Sequence, residues 1–396
     1  MNPESSPFSP GQPVPIEFFS GREEEVERLR SMVKASLKGR FKIGFVTGER
    51  GIGKSSLASF IKHLAEREEA VAGCHIFLGG VQELPEAVRK TFDRLLKESV
   101  EKPWYDKVRN FFGDHVRKVG LFSVSVELEL SPKEAQVAAD GFVPSLRKLI
   151  ADLGEDRKAV LLILDDINGL ATSPAFANWL KSVVDDIATS EKPFPVCVLV
   201  VGLEERRQEL IERQPSLARV FQLIDIAPWS EQETRDFYRS SFTSASAKVS
   251  DENLSMLVRF TGGLPVLAHE IGDAVWRASD TPEISGKEVW TGIVNAADIV
   301  GRKLLKPQVF EAIRSERYRS ILRKMAEEPF SLKFRRSELA QRLSAEEQEV
   351  LGNFLLRMRK LGALIPEGRG AYRFPNRLHA LYFWMETQRS RHDDKA

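Results

Sequence analysis

The chain has 396 residues, 42 % of them hydrophobic, enough for two or three domains with sizeable cores. No apolar run approaches the roughly 18 residues that a membrane-spanning helix needs, and the Pro/Ser-rich start, Met1 to Pro15, holds no signal-peptide core, so a cytoplasmic protein without membrane contact is expected. The net charge of +1 conceals an asymmetry, because residues 312–396 carry +7 and the remainder −6. Cys74 and Cys197 sit in apolar, strand-like runs and read as buried thiols. The six histidines lack ligand spacing, so zinc sites and cysteine or serine hydrolase chemistry are not expected.

Residues 1–16 hold five prolines with serines and glycine between them and read as a flexible arm. From Phe18 to Met32 the pattern is helical, with Ser20 as cap and Glu23 to Glu25 in the first turn. The apolar run Phe41, Ile43, Phe45, Val46 predicts a strand. It leads into Gly48-Glu49-Arg50-Gly51-Ile52-Gly53-Lys54-Ser55-Ser56, which contains a complete G-x-x-x-x-G-K-[ST] phosphate-binding loop. Without a Cβ, the glycines let the backbone turn its N–H groups onto a β-phosphate. Lys54 supplies a point charge for the β and γ oxygens and Ser55 a hydroxyl for Mg²⁺. A helix predicted from Lys54 to Arg67 aims its positive end at the same phosphates. ATP and Mg²⁺ are the expected ligands.

A second strand is expected over Cys74 to Leu78 and a helix over Pro85 to Ser99. Residues 100–140 interrupt the alternation: Trp104 to Val119 is amphipathic, and Val124, Val126, Leu128 and Leu130 alternate as in a strand. This stretch reads as an insertion for partner contact or assembly. Val160 to Leu164 is an unbroken apolar run of the kind buried on both faces of a parallel sheet. It ends in Asp165-Asp166, at the edge where such sheets bind ligands. Asp165 is the candidate Mg²⁺ holder; Asp166 either orients or deprotonates the attacking water or is a helix N-cap before Ile167 and Asn168. A helix near Phe176 to Ile187 and a strand over Val196 to Val201 complete an open parallel α/β core spanning residues 17–228. Helices over Ser230 to Ser241 and Asp251 to Phe260, the break Thr261-Gly262-Gly263-Leu264-Pro265 and a helix through Val275 make a helical lid and linker to residue 311.

In residues 312–388, before a tail of 389–396, Ser337 to Leu343 reads as a short helix with Ser337 near its cap. Glu346 to Leu361 reads as a longer helix that turns Val350, Leu351, Phe354, Leu355 and Met358 inward. Ala363-Leu364-Ile365 and Ala371-Tyr372-Arg373-Phe374 flank a glycine-rich tip as a hairpin. Helix, helix and hairpin is winged-helix order, in which the second helix enters the major groove and the wing lies near phosphates. Arg357, Arg359, Lys360, Arg369 and Arg373 are the candidates for such contacts. The partner is either double-stranded DNA or a protein.

Taken together, Phe19-Ser20-Gly21-Arg22-Glu23, the phosphate-binding loop, Asp165-Asp166, Arg219-Val220-Phe221 before Ile226-Ala227-Pro228, and Gly263-Leu264-Pro265 resemble the AAA+-related P-loop ATPases of the origin-recognition-like and STAND families. The resemblance covers about residues 17–280, and the C-terminal part is similar to the winged-helix appendage of those families. It implies ATP hydrolysis, self-assembly, packing of Pro265 on the adenine and an arginine finger at Arg219 reaching the γ-phosphate of a neighbouring subunit. A guanidinium there stabilises charge in phosphoryl transfer; the other reading of Arg219 is a surface arginine, and Arg213 is the next candidate. The chain departs from those families in placing Asp166 where many have Glu, in following the strand Val196 to Val201 with Gly202-Leu203 instead of a polar sensor, and in lacking a sensor arginine around Gly263 to His269. A slow, nucleotide-gated switch is therefore expected. It is either a self-assembling ATPase that contacts DNA or a STAND-like signalling or defence regulator that meets protein.

Overall fold

The computed structural model describes residues 6–12, 19, 21–99, 139–153, 157–190, 192–326 and 332–393; the expected insertion lies outside them except for residues 139 and 140. The chain forms two units, Pro13–Ala227, and Met1–Gln12 together with Pro228–Ala396.

In the first unit, β1 (Lys42–Gly48), β2 (Val71–Phe77), β3 (Ala159–Asp165), β4 (Val196–Val201) and β5 (Gln222–Ile226) make one parallel sheet in the order β2-β3-β4-β1-β5. This is the open parallel α/β core expected for residues 17–228. β3 and β4 are buried along their whole length, as unalternating Val/Leu/Ile runs require. The helices are α1 (Glu23–Leu37), α2 (Lys54–Glu68), α3 (Leu84–Ser99), α4 (Phe142–Leu153), α5 (Pro174–Ala188), α6 (Glu204–Arg213) and the short α7 (Leu217–Val220). One face of the sheet, through Val160, Leu162 and Leu164, packs in a single core with Leu146 and Leu149 of α4 and Phe176 and Leu180 of α5. Toward α2, Gly73 makes room for the helix, since a Cβ there would lie 2.7 Å from Lys62 Cγ. Val46 pairs with Val201, and Val201 with Asp165, so β1 and β3 end abreast with β4 between them, about 10 Å apart. The cap expected at Ser20 is not the one found. The N-cap of α1 is Arg22, at φ 67 and with no side-chain cap bond; Ser20 lies outside the described residues.

The second unit holds α8 (Glu231–Ser244), α9 (Asp251–Thr261), α10 (Pro265–Ala278) and α11 (Gly286–Val300), with a two-stranded parallel pair, β6 (Lys248–Val249) and β7 (Glu283–Ile284), between them. Ser230 with Glu233 and Ser285 with Glu288 form capping boxes that start α8 and α11 by satisfying orphan amide donors. α10 and α11 approach until their backbones nearly touch: a Cβ on Gly292 would lie 2.5 Å from Val275 Cα. The reading of residues 1–16 as a flexible arm fails at Phe8, which is 5 % exposed against Phe237, Tyr238 and Phe242. Gly272 opens the space, since its Cβ would lie 2.4 Å from the Phe8 ring, and the Ser9 amide donates to His269 Nδ1 at 3.2 Å. One buried aromatic ring offsets the low packing potential of the prolines around it.

α11 continues through a π-helical segment, Gly301–Phe310, into α12 (Glu316–Met325), β8 (Lys333–Arg335), α13 (Arg336–Gln341), α14 (Ala345–Lys360), β9 (Ile365–Pro366), β10 (Ala371–Arg373) and α15 (Arg377–Asp393). β10 pairs antiparallel with both β8 and β9, so the expected hairpin is the larger part of a three-stranded sheet. Ser337 falls inside α13, whose N-cap is Arg335. On α14, Leu351, Phe354, Leu355 and Met358 are buried as their spacing predicts, with Val350 partly so. α15 places Leu378 and Leu381 in the core formed by α8 to α11 and Ala380, Tyr382 and Phe383 in the C-terminal core, which stitches the two together.

Glu347 anchors the start of α14, accepting hydrogen bonds from Ser320 Oγ (2.6 Å), Lys324 Nζ (2.7 Å) and the Ser344 amide (2.8 Å). Burial alone would raise its pKa, but these bonds hold it down at about 2, against an ordinary 4.5. A carboxylate whose pKa is depressed by folding stabilises the native state fully above its unfolded value, and loses that contribution as pH falls through the folded one. The wild type should therefore lose stability between pH 4.5 and about 2 more steeply than Glu347→Gln, as read from urea midpoints across that window.

Candidate functional site

The loop between β1 and α2 has the backbone that phosphate binding requires. Gly48, Gly51 and Gly53 have φ of 142°, 74° and 95°, and a Cβ on Gly48 would lie 2.8 Å from the Ile226 carbonyl. No side chain caps α2, so its first amide groups point into the loop as an anion site would need. Ile52 is fully buried and pins the loop, while Glu49, Arg50 and Gly51 are exposed and Ser55 and Ser56 half-buried. Arg22 explains its own strained cap position. Its buried guanidinium donates to the carbonyls of Ile52 (3.2 Å) and Ala227 and lies 3.6 Å from Glu25, tying the loop to the end of β5. Lys54 Nζ donates to the carbonyls of Gly48 (2.9 Å) and Glu49 (2.8 Å). Burial lowers its pKa, and the nearby carboxylates of Asp165 and Asp166 act against that shift.

The structure brings both acids to this loop but treats them differently. Asp165 is 1 % exposed and accepts a hydrogen bond from His75 Nε2 at 2.8 Å. His75 in turn places Nδ1 3.1 Å from Ser59 Oγ on α2 and stacks on Phe77, ring centroids 4.4 Å apart. Asp166 is exposed, at φ 58, a left-handed conformation that Asp tolerates better than most residues. It accepts a hydrogen bond from Asn168 Nδ2, and Asn168 Oδ1 accepts from the Leu203 amide at 3.2 Å. Asp166 is not a helix N-cap, because residues 167–169 form a turn and the first helical residues after it, Leu170–Thr172, have Gly169 as their N-cap. Among the described residues no group of three or more His, Cys, Asp and Glu could hold a metal alone. A cation here would rest on Ser55, Asp165 and phosphate oxygens, a donor set that suits Mg²⁺.

The remaining candidates are placed elsewhere. Arg219 is exposed on α7, whereas Arg213 is occupied, with Nε donating to the Thr172 carbonyl (2.9 Å) and Nη1 to that of Glu209 (3.2 Å). Pro265 opens α10 in the second unit, after Gly262 and Gly263 at φ 60° and 76°; a Cβ on Gly263 would lie 2.4 Å from the Trp229 carbonyl. Arg357, Arg359, Lys360 and Arg369 are exposed. Arg373 is half-buried and committed internally, with Nε 3.0 Å from Glu367 and Nη1 donating to the Pro375 carbonyl at 2.9 Å. Sequence reasoning missed Ser59, His75 and Asn168. The signal for His75 was a lone polar ring inside an apolar strand; for Asn168 it was an amide just past the acidic pair.

Residues 19–199 match the AAA ATPase domain family. Among solved structures, the Walker-type ATPase of Pyrococcus abyssi superposes with a TM-score of 0.56 at 17 % identity, over 93 % of this chain and 96 % of that one. The ORC2 protein of Aeropyrum pernix in its ADPNP–ADP complexes does so with 0.57 at 13 % identity, over 94 % of each. At these identities the likeness is one of fold. No curated protein sequence matches the chain.

Proposed function

We propose, from the match of residues 19–199 to the AAA ATPase domain family, that the chain is an ATP-binding, Mg²⁺-dependent ATPase working as a slow nucleotide-gated switch. The observation that carries this reading is the convergence of Lys54, Asp165 and Asp166 at one end of the sheet, beside an uncapped helix N-terminus. Lys54 would exchange its loop carbonyls for β and γ oxygens, and Ser55 and Asp165 would hold Mg²⁺, which supplies positive charge at the transferring phosphoryl group. Asp166, exposed and steadied by Asn168, is the group to orient and deprotonate the attacking water. Asn168 also brings an amide to the end of β4, where Gly202-Leu203 offers no polar side chain. Arg219, exposed on its short helix, is available to the γ-phosphate site of a second copy in a homo-oligomer. The reading is tested by Asp166→Asn. ATP turnover should fall about 100-fold while nucleotide affinity stays within about twofold. Unchanged turnover would remove Asp166 from the chemistry.

The three-stranded sheet with α12, α13 and α14 supports a winged helix, with Arg357, Arg359, Lys360 and Arg369 facing duplex DNA. Four phosphate contacts would give a log–log salt slope of about −3.6. A specific observation favours the second reading, a STAND-like regulator whose winged helix meets protein. The first turn of α14 exposes the acidic Glu346, where a DNA-reading helix presents its contacts to the bases. Leu356 is also 48 % exposed beside Arg357 and Lys360. Binding to duplex DNA with that salt slope favours the first reading, and its absence in the presence of an ATP analogue favours the second.

A further inference from the structure

Asp165 is reached by a buried line of groups that the nucleotide reading does not use. β2 and β3 run in parallel with Phe77 opposite Asp165, and His75, two residues earlier, lies on the same face of β2 as Phe77. His75 is 3 % exposed, with Nε2 2.8 Å from Asp165 Oδ2 and Nδ1 3.1 Å from Ser59 Oγ. An ionised carboxylate only accepts hydrogen bonds, so Nε2 donates to Asp165, and the Ser59 hydroxyl, which can donate or accept, meets Nδ1 on the other side of the ring. The ring is held on a third side by the Phe77 stack. Ser59 stands four residues after Ser55 on α2, and such spacing puts both hydroxyls on one helix face. The helix that carries Ser55 is thus joined to Asp165 behind the site through Ser59 and His75.

We propose that His75 is a positioning residue for Mg²⁺: by engaging Oδ2 it fixes the plane of the Asp165 carboxylate and leaves Oδ1 for the ion's water shell. This rests on the nucleotide reading above. Hydrogen bonds from residues behind a metal-holding carboxylate orient it and tune affinity for the ion, and their loss costs about 10- to 100-fold. The cost should fall on Mg²⁺ dependence and spare the phosphate-binding loop.

The test measures binding of a fluorescent ADP analogue by anisotropy, first in EDTA and then along a Mg²⁺ titration. His75→Phe keeps the aromatic stack and removes the hydrogen bond to Asp165. It should leave affinity in EDTA within about twofold of wild type and raise the half-saturating Mg²⁺ concentration about 10- to 100-fold. His75→Gln can present an amide donor near the Nε2 position and should recover most of that shift, and Ser59→Ala should give a smaller shift in the same direction. Three outcomes overturn the inference: a wild-type Mg²⁺ midpoint in His75→Phe, equal shifts in His75→Phe and His75→Gln, or a loss in EDTA as large as that in Mg²⁺. A wild type that binds the analogue without any Mg²⁺ dependence overturns the metal site itself and the inference with it.

Discussion

Lys54→Ala should lower affinity for ADP and ATP by about 30-fold to several thousand-fold, the 2–5 kcal/mol typical of removing one partner from a desolvated charged contact. The size follows from where the ammonium sits. Its present partners are the carbonyls of Gly48 and Glu49, neutral acceptors that water can also satisfy at an exposed loop, so folding should lose only about 1 kcal/mol. A β- or γ-phosphate oxygen carries formal charge, and the alanine variant has no cation to meet it. The expected result is therefore a wide separation between two measurements, a near-normal melting temperature without nucleotide and a missing thermal shift when nucleotide is added. Wild-type affinity in Lys54→Ala would show that residues 48–55 are an ordinary glycine turn. A large loss of stability without nucleotide would show that Lys54 is a structural group.

Gly292→Ala should be among the most destabilising single-methyl additions in the second unit. An added Cβ would lie 2.4 Å from Val275 Cγ2, 2.5 Å from its Cα and 2.6 Å from its amide nitrogen. Two of those atoms are backbone and cannot rotate away, so α10 and α11 must separate along a helix pair that supplies much of one core of the unit. Overpacking of this kind costs about 1–3 kcal/mol. For a unit of this size that corresponds to a fall of about 3–10 °C in melting temperature. Gly352→Ala is the matched control. It is also helical and exposed, its Cβ would meet nothing nearer than Arg336 Nη2 at 3.9 Å, and relief of glycine's entropic penalty should stabilise α14 by about 0.5–1 kcal/mol. Opposite signs from the same chemical change in two helices would locate the effect in the α10–α11 crossing and not in helix propensity.

Much of the core was legible because its signals are local. Val160 to Leu164 and Val196 to Val201 are apolar without alternation, which only a strand covered on both faces tolerates, and both fall within observed strands. The phosphate-binding loop was legible because its glycines are demanded by backbone geometry a few residues long. What sequence could not supply is partnership across distance. Ser20 has the chemistry of a cap, yet Arg22 takes the cap position because its guanidinium is drawn to carbonyls 30 and 205 residues away. His75 carries no mark of its bond to Asp165, 90 residues on, since the pairing is created by strand register. β8 was missed because Lys333-Phe334-Arg335 is too short for a periodic pattern and becomes a strand only by pairing with β10. Arg373 looked like its basic neighbours until the fold placed Glu367 beside it.

Phe8 seats against residues some 230 to 260 positions further along the chain, as the bond from the Ser9 amide to His269, 260 residues away, also shows. Ribosomes add about 5–20 residues each second, so the seat is completed roughly 13–50 s after the ring itself has been made. Throughout that interval the first unit can assemble from contiguous chain, while Phe8 stays in solvent within reach of any apolar surface. Its docking is a late closure event in a unit whose pieces lie on both sides of an inserted domain. An aromatic side chain synthesised early is buried late, and vectorial synthesis leaves the second unit incomplete until the N-terminal segment returns to it.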